Sequence, residues 1–177
     1  MRLEQKDRTD SNNASQAEGG GVAAGGFSRK VFRADQDTEI GTEDEMVVEA
    51  VTENLPDVLA FVDERLERIG CPVKTRMQID VAAEEIFVNI ASYAYAPEKG
   101  NAAVRLEVCG DPVTVTITFI DRGVPYDPLK PEDPDVTLPT AARQIGGLGV
   151  FMAKKLMDDV SYEYSEGQNI LTLKKNL

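Results

Sequence analysis

Val104-Arg105-Leu106-Glu107-Val108-Cys109-Gly110-Asp111-Pro112-Val113-Thr114-Val115-Thr116-Ile117-Thr118-Phe119-Ile120-Asp121-Arg122-Gly123 decides the fold. Val104, Leu106 and Val108 alternate with polar residues. Val113, Val115, Ile117 and Phe119 alternate with Thr114, Thr116 and Thr118. Alternation of this kind marks strands with one face buried, and Gly110-Asp111-Pro112 supplies the turn between them. The second strand runs straight into Asp121-Arg122-Gly123, which sets a carboxylate at a strand end.

Upstream, Met46–Val51 reads as a strand. Leu55, Val58, Leu59, Val62, Leu66 and Ile69 then recur at helical spacing. Asn54 or Thr52 is placed to cap this helix, Pro56 suits its first turn, and Gly70 and Pro72 end it. A second helix is expected from about Thr75 to Tyr95, with Thr75 and Gln78 at capping-box spacing. Downstream, residues 127–145 carry Pro128, Pro131, Pro134 and Pro139 and read as a long loop. A third helix is expected from near Gly147 to about Met157. A closing hairpin follows, with Val160–Ser165 and Asn169–Lys175 flanking a turn at Glu166-Gly167. The order predicts an α+β fold, a two-layer sandwich with helices on one face of a mixed, mostly antiparallel sheet.

Residues 1–45 read as a disordered, Gly-rich polar leader, with Phe27, Val31 and Phe32 its one bulky apolar cluster. A short partner-binding segment there is the other reading. Residues 46–177 form the folded domain.

Composition narrows the chemistry. The 177 residues carry 19 Lys and Arg against 31 Asp and Glu, a formal net charge of −12. That balance excludes nonspecific nucleic-acid binding and adhesion to anionic membranes, which need cationic contacts. No stretch approaches the roughly 18 apolar residues of a membrane span. The N-terminus has no apolar signal-peptide core, so a cytoplasmic address is expected. Histidine is absent, which removes Ser-His-Asp and Cys-His triads and leaves a carboxylate, lysine or tyrosine as general base. Cys71 and Cys109 have no zinc-ligand spacing and read as reduced thiols.

Three features carry the functional signal. Glu85 and Asn89 lie one turn apart on one face of the second helix, with Glu84 beside them and Tyr93 continuing the face. They could form a plain solvent face, but asparagine is a poor helix former. Its carbonyl oxygen can bind Mg²⁺, near which a carboxylate could take a proton. Asp121-Arg122-Gly123-Val124-Pro125-Tyr126-Asp127-Pro128 is the second feature. It reads as a simple turn or as a carboxylate placed to accept from an exocyclic amine. The third, Gln144-Ile145-Gly146-Gly147-Leu148-Gly149-Val150-Phe151, opens a helix. Its glycines serve the helix start or free N–H groups for an anion. It matches neither the Walker nor the dinucleotide-binding form.

In this order the three stretches resemble the GHKL ATPase superfamily (the Bergerat ATP-binding fold), in particular the bacterial anti-sigma-factor serine/threonine kinases. Glu85-Ile86-Phe87-Val88-Asn89, on to Tyr95, resembles the N box. Asp121–Pro128 resembles the G1 box and Gly146–Phe151 the G2 box. Lys155–Val160 and Gly167–Lys175 are similar to the family's continuation, so the likeness spans residues 46–177.

The resemblance implies ATP and Mg²⁺, with Asn89 on the metal and Glu85 as base toward a protein serine. It implies Asp121 on the adenine amine and Gly123 giving the ring room. Gly146, Gly147 and Gly149, with Leu148 and Val150 in the same box, would hold phosphate. Residues 127–145 would be the ATP lid, and Arg143 either contacts the γ-phosphate or is a surface arginine. The implied partners are an anti-anti-sigma protein as substrate, a sigma factor, and a second copy in a homodimer. A non-catalytic ATP-dependent switch of the same fold is the alternative. A weaker one is a regulatory partner of a separate phosphatase. Tyr93 stands where these kinases often have His, and Gly146-Gly147 where many have Arg-Gly or Ser-Gly. The chain has neither a phosphoacceptor histidine nor a dimerisation hairpin, so it is not a complete sensor histidine kinase.

Overall fold

The computed structural model describes residues 28–32, 41–130 and 148–177. Its strands are β1 (Ser28–Phe32), β2 (Thr42–Glu49), β3 (Asn101–Cys109), β4 (Thr114–Asp121), β5 (Asp159–Ser165) and β6 (Gln168–Asn176). Its helices are α1 (Leu55–Arg68), α2 (Val73–Asn89) and α3 (Leu148–Leu156). A 3₁₀ turn, Thr52–Asn54, precedes α1, and a π-helical turn, Ile90–Ala94, continues α2.

One sheet runs in the order β1-β2-β3-β4-β6-β5. The predicted sheet was mixed and mostly antiparallel; every described pair is antiparallel. Strand alternation sends Met46, Val48, Val104, Leu106, Val108, Val115, Ile117, Phe119, Leu171 and Leu173 to one face, all buried. Val58, Phe61, Val62 and Leu66 of α1 meet them, as do Ile79, Ala82, Ala83, Ile86 and Phe87 of α2 and Val150 and Ala153 of α3. Each large aliphatic or aromatic side chain so buried stabilises the fold by about 1.5–3 kcal/mol. The opposite sheet face carries residues such as Arg105, Thr116, Thr118 and Thr172, so the sandwich has two layers.

The leader boundary moves. Met46 is not where order starts, because Thr42–Glu45 belong to β2 and Ser28–Phe32 pair with it from Ser28↔Val47 to Phe32↔Glu43. The reason lies at Asp44, which shares the core phase of Met46 and Val48 and is 1 % exposed. Its Oδ2 lies 2.9 Å from an Arg68 guanidinium nitrogen and 3.4 Å from Arg65 Nε. Arg65 is itself 1 % exposed and also donates to the Thr42 hydroxyl. Two α1 arginines thus permit a carboxylate where a strand needs an apolar residue. The remaining leader residues, 1–27 and 33–40, lie outside the described residues.

Local signals around the helices differ from expectation. Asn54 precedes α1 but its side-chain amide donates to Glu49 O at 2.9 Å rather than capping the helix. α2 begins at Val73 after Pro72, so the Thr75–Gln78 capping box is not its start. Proline, with its fixed φ, suits the residue that leads into a helix. Both cysteines are free thiols. Among the described residues, no helix is long and apolar enough to cross a membrane.

Candidate nucleotide site

Asp121 is the last residue of β4 and continues the core phase of Val115, Ile117 and Phe119, so it points beneath the helices rather than into bulk solvent. It is 6 % exposed. Its Oδ1 accepts from Gly123 N at 2.8 Å and from Asn169 Nδ2 at 2.8 Å. Its Oδ2 takes no hydrogen bond among the described residues. A buried carboxylate held by one oxygen and free at the other is a directed acceptor.

The segment after Asp121 is clamped to the end of α2. Val124 N donates to Ala94 O at 2.8 Å. A Cβ on Gly123 would collide with that same carbonyl, so only glycine lets the strands' end and the π turn approach this closely. The wider π turn presents the Ala94 carbonyl here, and such turns recur at functional sites. Tyr95 adds a second tie: its hydroxyl donates to Asn101 O and accepts from Arg122 N, both at 2.7 Å. Burial, first of all, raises the Tyr95 phenol above its ordinary pKa, with Asp121 adding to the shift.

Glu85 and Asn89 project from α2 on one side, both half-buried. α2 packs against α3 along this side. A Cβ built on Gly149 would fall on the Glu85 carboxylate. Gly149 therefore has a reason apart from phosphate contact, which is room for Glu85 at the first turn of α3. Neither Glu85 nor Asn89 has a side-chain hydrogen bond or ion pair among the described residues. Val150 is buried in the core, where its side chain anchors α3. Leu148 starts α3. Arg143, Gly146, Gly147 and residues 131–145 of the expected lid lie outside the described residues. The described root of that loop turns at Asp127, whose Oδ1 accepts from Leu129 N at 2.9 Å.

The structure thus sets Glu85 against Gly149 at the α2–α3 face, with Asn89 one turn further along α2, and places Asp121 and Gly123 at the sheet end beside the π turn. Among the described residues, no group of three His, Cys, Asp or Glu side chains could hold a metal. The hard oxygens of Asn89 and Glu85 suit Mg²⁺, which takes few protein ligands and relies on phosphate and water for the rest.

Asn169, Tyr162 and Tyr95 belong to this site and were not among the predicted site residues. Asn169 has a readable signal. It shares the phase of Leu171 and Leu173 in β6, so a polar residue occupies a core position. Its strand register sets it directly opposite Asp121.

Comparisons with known proteins bear on the family. Residues 48–175 match the family described as Histidine kinase-like ATPase domain. The serine/threonine-protein kinase BtrW of Bordetella bronchiseptica is 29% identical over 117 residues, 66% of this chain and 82% of BtrW. The serine-protein kinase RsbW of Bacillus cereus is 25% identical over 134 residues, 73% of this chain and 82% of RsbW. RsbW of Listeria monocytogenes is 28% identical over 112 residues, 60% of this chain and 70% of that protein. Because the family match runs from residue 48 to residue 175, through all three helices and most of the sheet, this protein belongs to the histidine kinase-like ATPase family.

Proposed function

We propose that the chain is an ATP- and Mg²⁺-dependent protein serine/threonine kinase that acts as an anti-sigma factor, its substrate a serine on a small anti-anti-sigma protein. The observation that carries this reading is the placement of Glu85. Its carboxylate lies one helical turn before Asn89 and against Gly149 at the first turn of α3. A proton acceptor there is next to where a helix N-terminus favours phosphate. The relatives named as serine kinases support the same reading.

In this scheme Asp121 Oδ2 accepts from the adenine amine while Gly123 keeps the ring's seat open. Asn89 would hold Mg²⁺ through its carbonyl oxygen, and the ion would supply positive charge against the phosphates. The first turn of α3, with Gly146 and Gly147 ahead of it, directs backbone N–H groups at the phosphate chain. Arg143 adds positive charge toward the transferring group. Glu85 accepts the proton of the substrate serine as its oxygen attacks the γ-phosphorus and ADP leaves. The phosphoserine brings about two negative charges to the partner and weakens its grip on this chain. The excess of acidic residues fits a protein that meets proteins rather than nucleic acid, and under the same proposal it acts in the cytoplasm as a homodimer.

The test is incubation with γ-labelled ATP, Mg²⁺ and small candidate partner proteins, followed by phosphoamino-acid analysis. Phosphoserine that disappears with Glu85→Ala, while ATP still binds, is the expected outcome. Unchanged phosphoserine in that variant sinks the kinase assignment of Glu85. Partner binding that depends on ATP without any phosphoserine identifies the chain as a nucleotide-responsive binding switch.

A further inference from the structure

Asn169 is 7 % exposed, and every hydrogen-bonding capacity of its amide is used. Its Nδ2 donates to Asp121 Oδ1 at 2.8 Å and to Val124 O at 3.2 Å. Its Oδ1 accepts from the Tyr162 hydroxyl at 2.7 Å and from Tyr126 N at 3.2 Å. Two donors face two acceptors and two acceptor sites face two donors, so the amide has one orientation that satisfies it. Flipping it would set its NH₂ against Tyr126 N–H and its oxygen against a carboxylate.

We infer that Asn169 is the positioning residue of base recognition: it fixes Asp121 with Oδ2 as the free acceptor and ties the 124–126 segment to the same point. The inference rests on the reading of Asp121 as the group that meets the adenine amine. Its chemistry is selection of a 6-amino over a 6-oxo purine. Asp121 needs a donor on Oδ1, or its carboxylate can rotate and present either oxygen. Gly123 N supplies one such donor, and Asn169 supplies the second from the opposite strand. Tyr162 on β5 braces Asn169 from behind. Because Asn169 also holds Val124 O and Tyr126 N, the base pocket and the root of the 127–145 loop share one anchor.

The variant Asn169→Asp tests this role by removing the donor to Asp121 Oδ1, together with that to Val124 O. It keeps the oxygen that Tyr162 and Tyr126 donate to, and it replaces the amide donor with a carboxylate facing Asp121. Two carboxylates at hydrogen-bond distance share a proton at low pH, and the shared proton restores a donor to Asp121 Oδ1. Among the described residues, Tyr162 touches Asn169, and Tyr95, Arg122, Asp127 and Tyr164 lie close by. The Tyr162 and Tyr95 phenols are raised above their ordinary value, chiefly by burial, so they stay protonated throughout the acid and neutral range.

The experiment is calorimetric titration of the wild type and the variant with ATP and with inosine triphosphate, whose 6-oxo group cannot donate. It is run between about pH 8 and about pH 5.5, each affinity taken relative to wild type at the same pH. For Asn169→Asp at the upper pH, ATP affinity should fall about tenfold while inosine triphosphate affinity stays. The ATP loss should shrink as pH falls. Tyr162→Phe, which retains the fold more safely, should weaken ATP by roughly threefold and leave inosine triphosphate unaffected. Equal loss of both nucleotides, a pH-independent loss, or no loss overturns the positioning role. A wild type that does not prefer ATP over inosine triphosphate overturns the reading of Asp121 itself, and this inference with it.

Discussion

The two ends of the candidate site are built in opposite ways. At the sheet end, Asp121 and Asn169 are buried and carry five hydrogen bonds to strand, loop and tyrosine partners. At the α2–α3 face, Glu85 and Asn89 are half-buried and have no such partners among the described residues. A base is a rigid, uncharged ring, and a fixed acceptor recognises it without reordering. A phosphate chain with its metal and an attacking hydroxyl brings its own charges. Polar groups that meet it gain from having no competing partner. Preorganisation at one end and open coordination capacity at the other is the division that binding first and reacting second requires.

Variants at each end should therefore fail differently. Glu85→Ala should lower phosphoserine formation by about 10²–10⁴-fold while ATP affinity, read by calorimetry, stays within about threefold. Asp121→Asn should do the reverse. Swapping the acceptor for an amide should cost about 2–3 kcal/mol of ATP binding, with the phosphotransfer rate at saturating ATP far less affected. A Glu85 variant that loses ATP binding as well would erase the distinction between the two ends.

The core-phase polar residues explain how much could be read beforehand. Asp121, Asn169 and Asp44 occupy positions where their strands otherwise place Val, Ile, Leu, Phe or Met. Asp121 was legible because a turn of distinctive composition follows it. Asn169 shows its core-phase polarity in the sequence but not its role, because its partners come from β4, β5 and the loop after Asp121, and strand register is not written in any one segment. Asp44 misled, because an acidic run before Met46 looks like leader until Arg65 and Arg68 are brought over it from α1. The helices and both hairpins follow from periodicity. The π turn after Asn89 does not, since it arises where Ala94 meets Gly123 and Val124 in three dimensions. Gly149 was assigned to phosphate from its box alone, whereas its contact with Glu85 needs α2 and α3 side by side.

Asp44 offers a control away from both ends. Asp44→Ala removes the buried carboxylate that Arg65 and Arg68 meet and should destabilise the fold by about 3 kcal/mol in denaturant melts, without altering the nucleotide preference of the protein that remains folded. The α2–α3 contact gives a finer test. Gly149→Ala should hinder phosphotransfer through crowding of Glu85. That penalty should be smaller in a Glu85→Ala background, a coupling of about 1 kcal/mol in a double-mutant cycle.

The smallest effect concerns Asp80, whose carboxyl is pushed up to about 6 by burial first and by Asp63 next, against Arg76. A raised acid favours the folded state at low pH and loses that contribution as pH rises through about 6. Asp80→Asn should thus be more stable than wild type above neutrality, by about 1 kcal/mol after solvent screening. The gain should fade toward pH 4, as thermal melts across pH would report.

In the proposed site one pocket holds the base at Asp121 and the phosphates between Asn89 and α3. The decisive measurement is a crystal structure with Mg²⁺ and a nonhydrolysable ATP analogue. The expected result is the adenine amine on Asp121 Oδ2, the metal on the Asn89 carbonyl oxygen, and Glu85 facing the γ-phosphate beside Gly149. A base seated away from Asp121, or a metal held without Asn89, would contradict it.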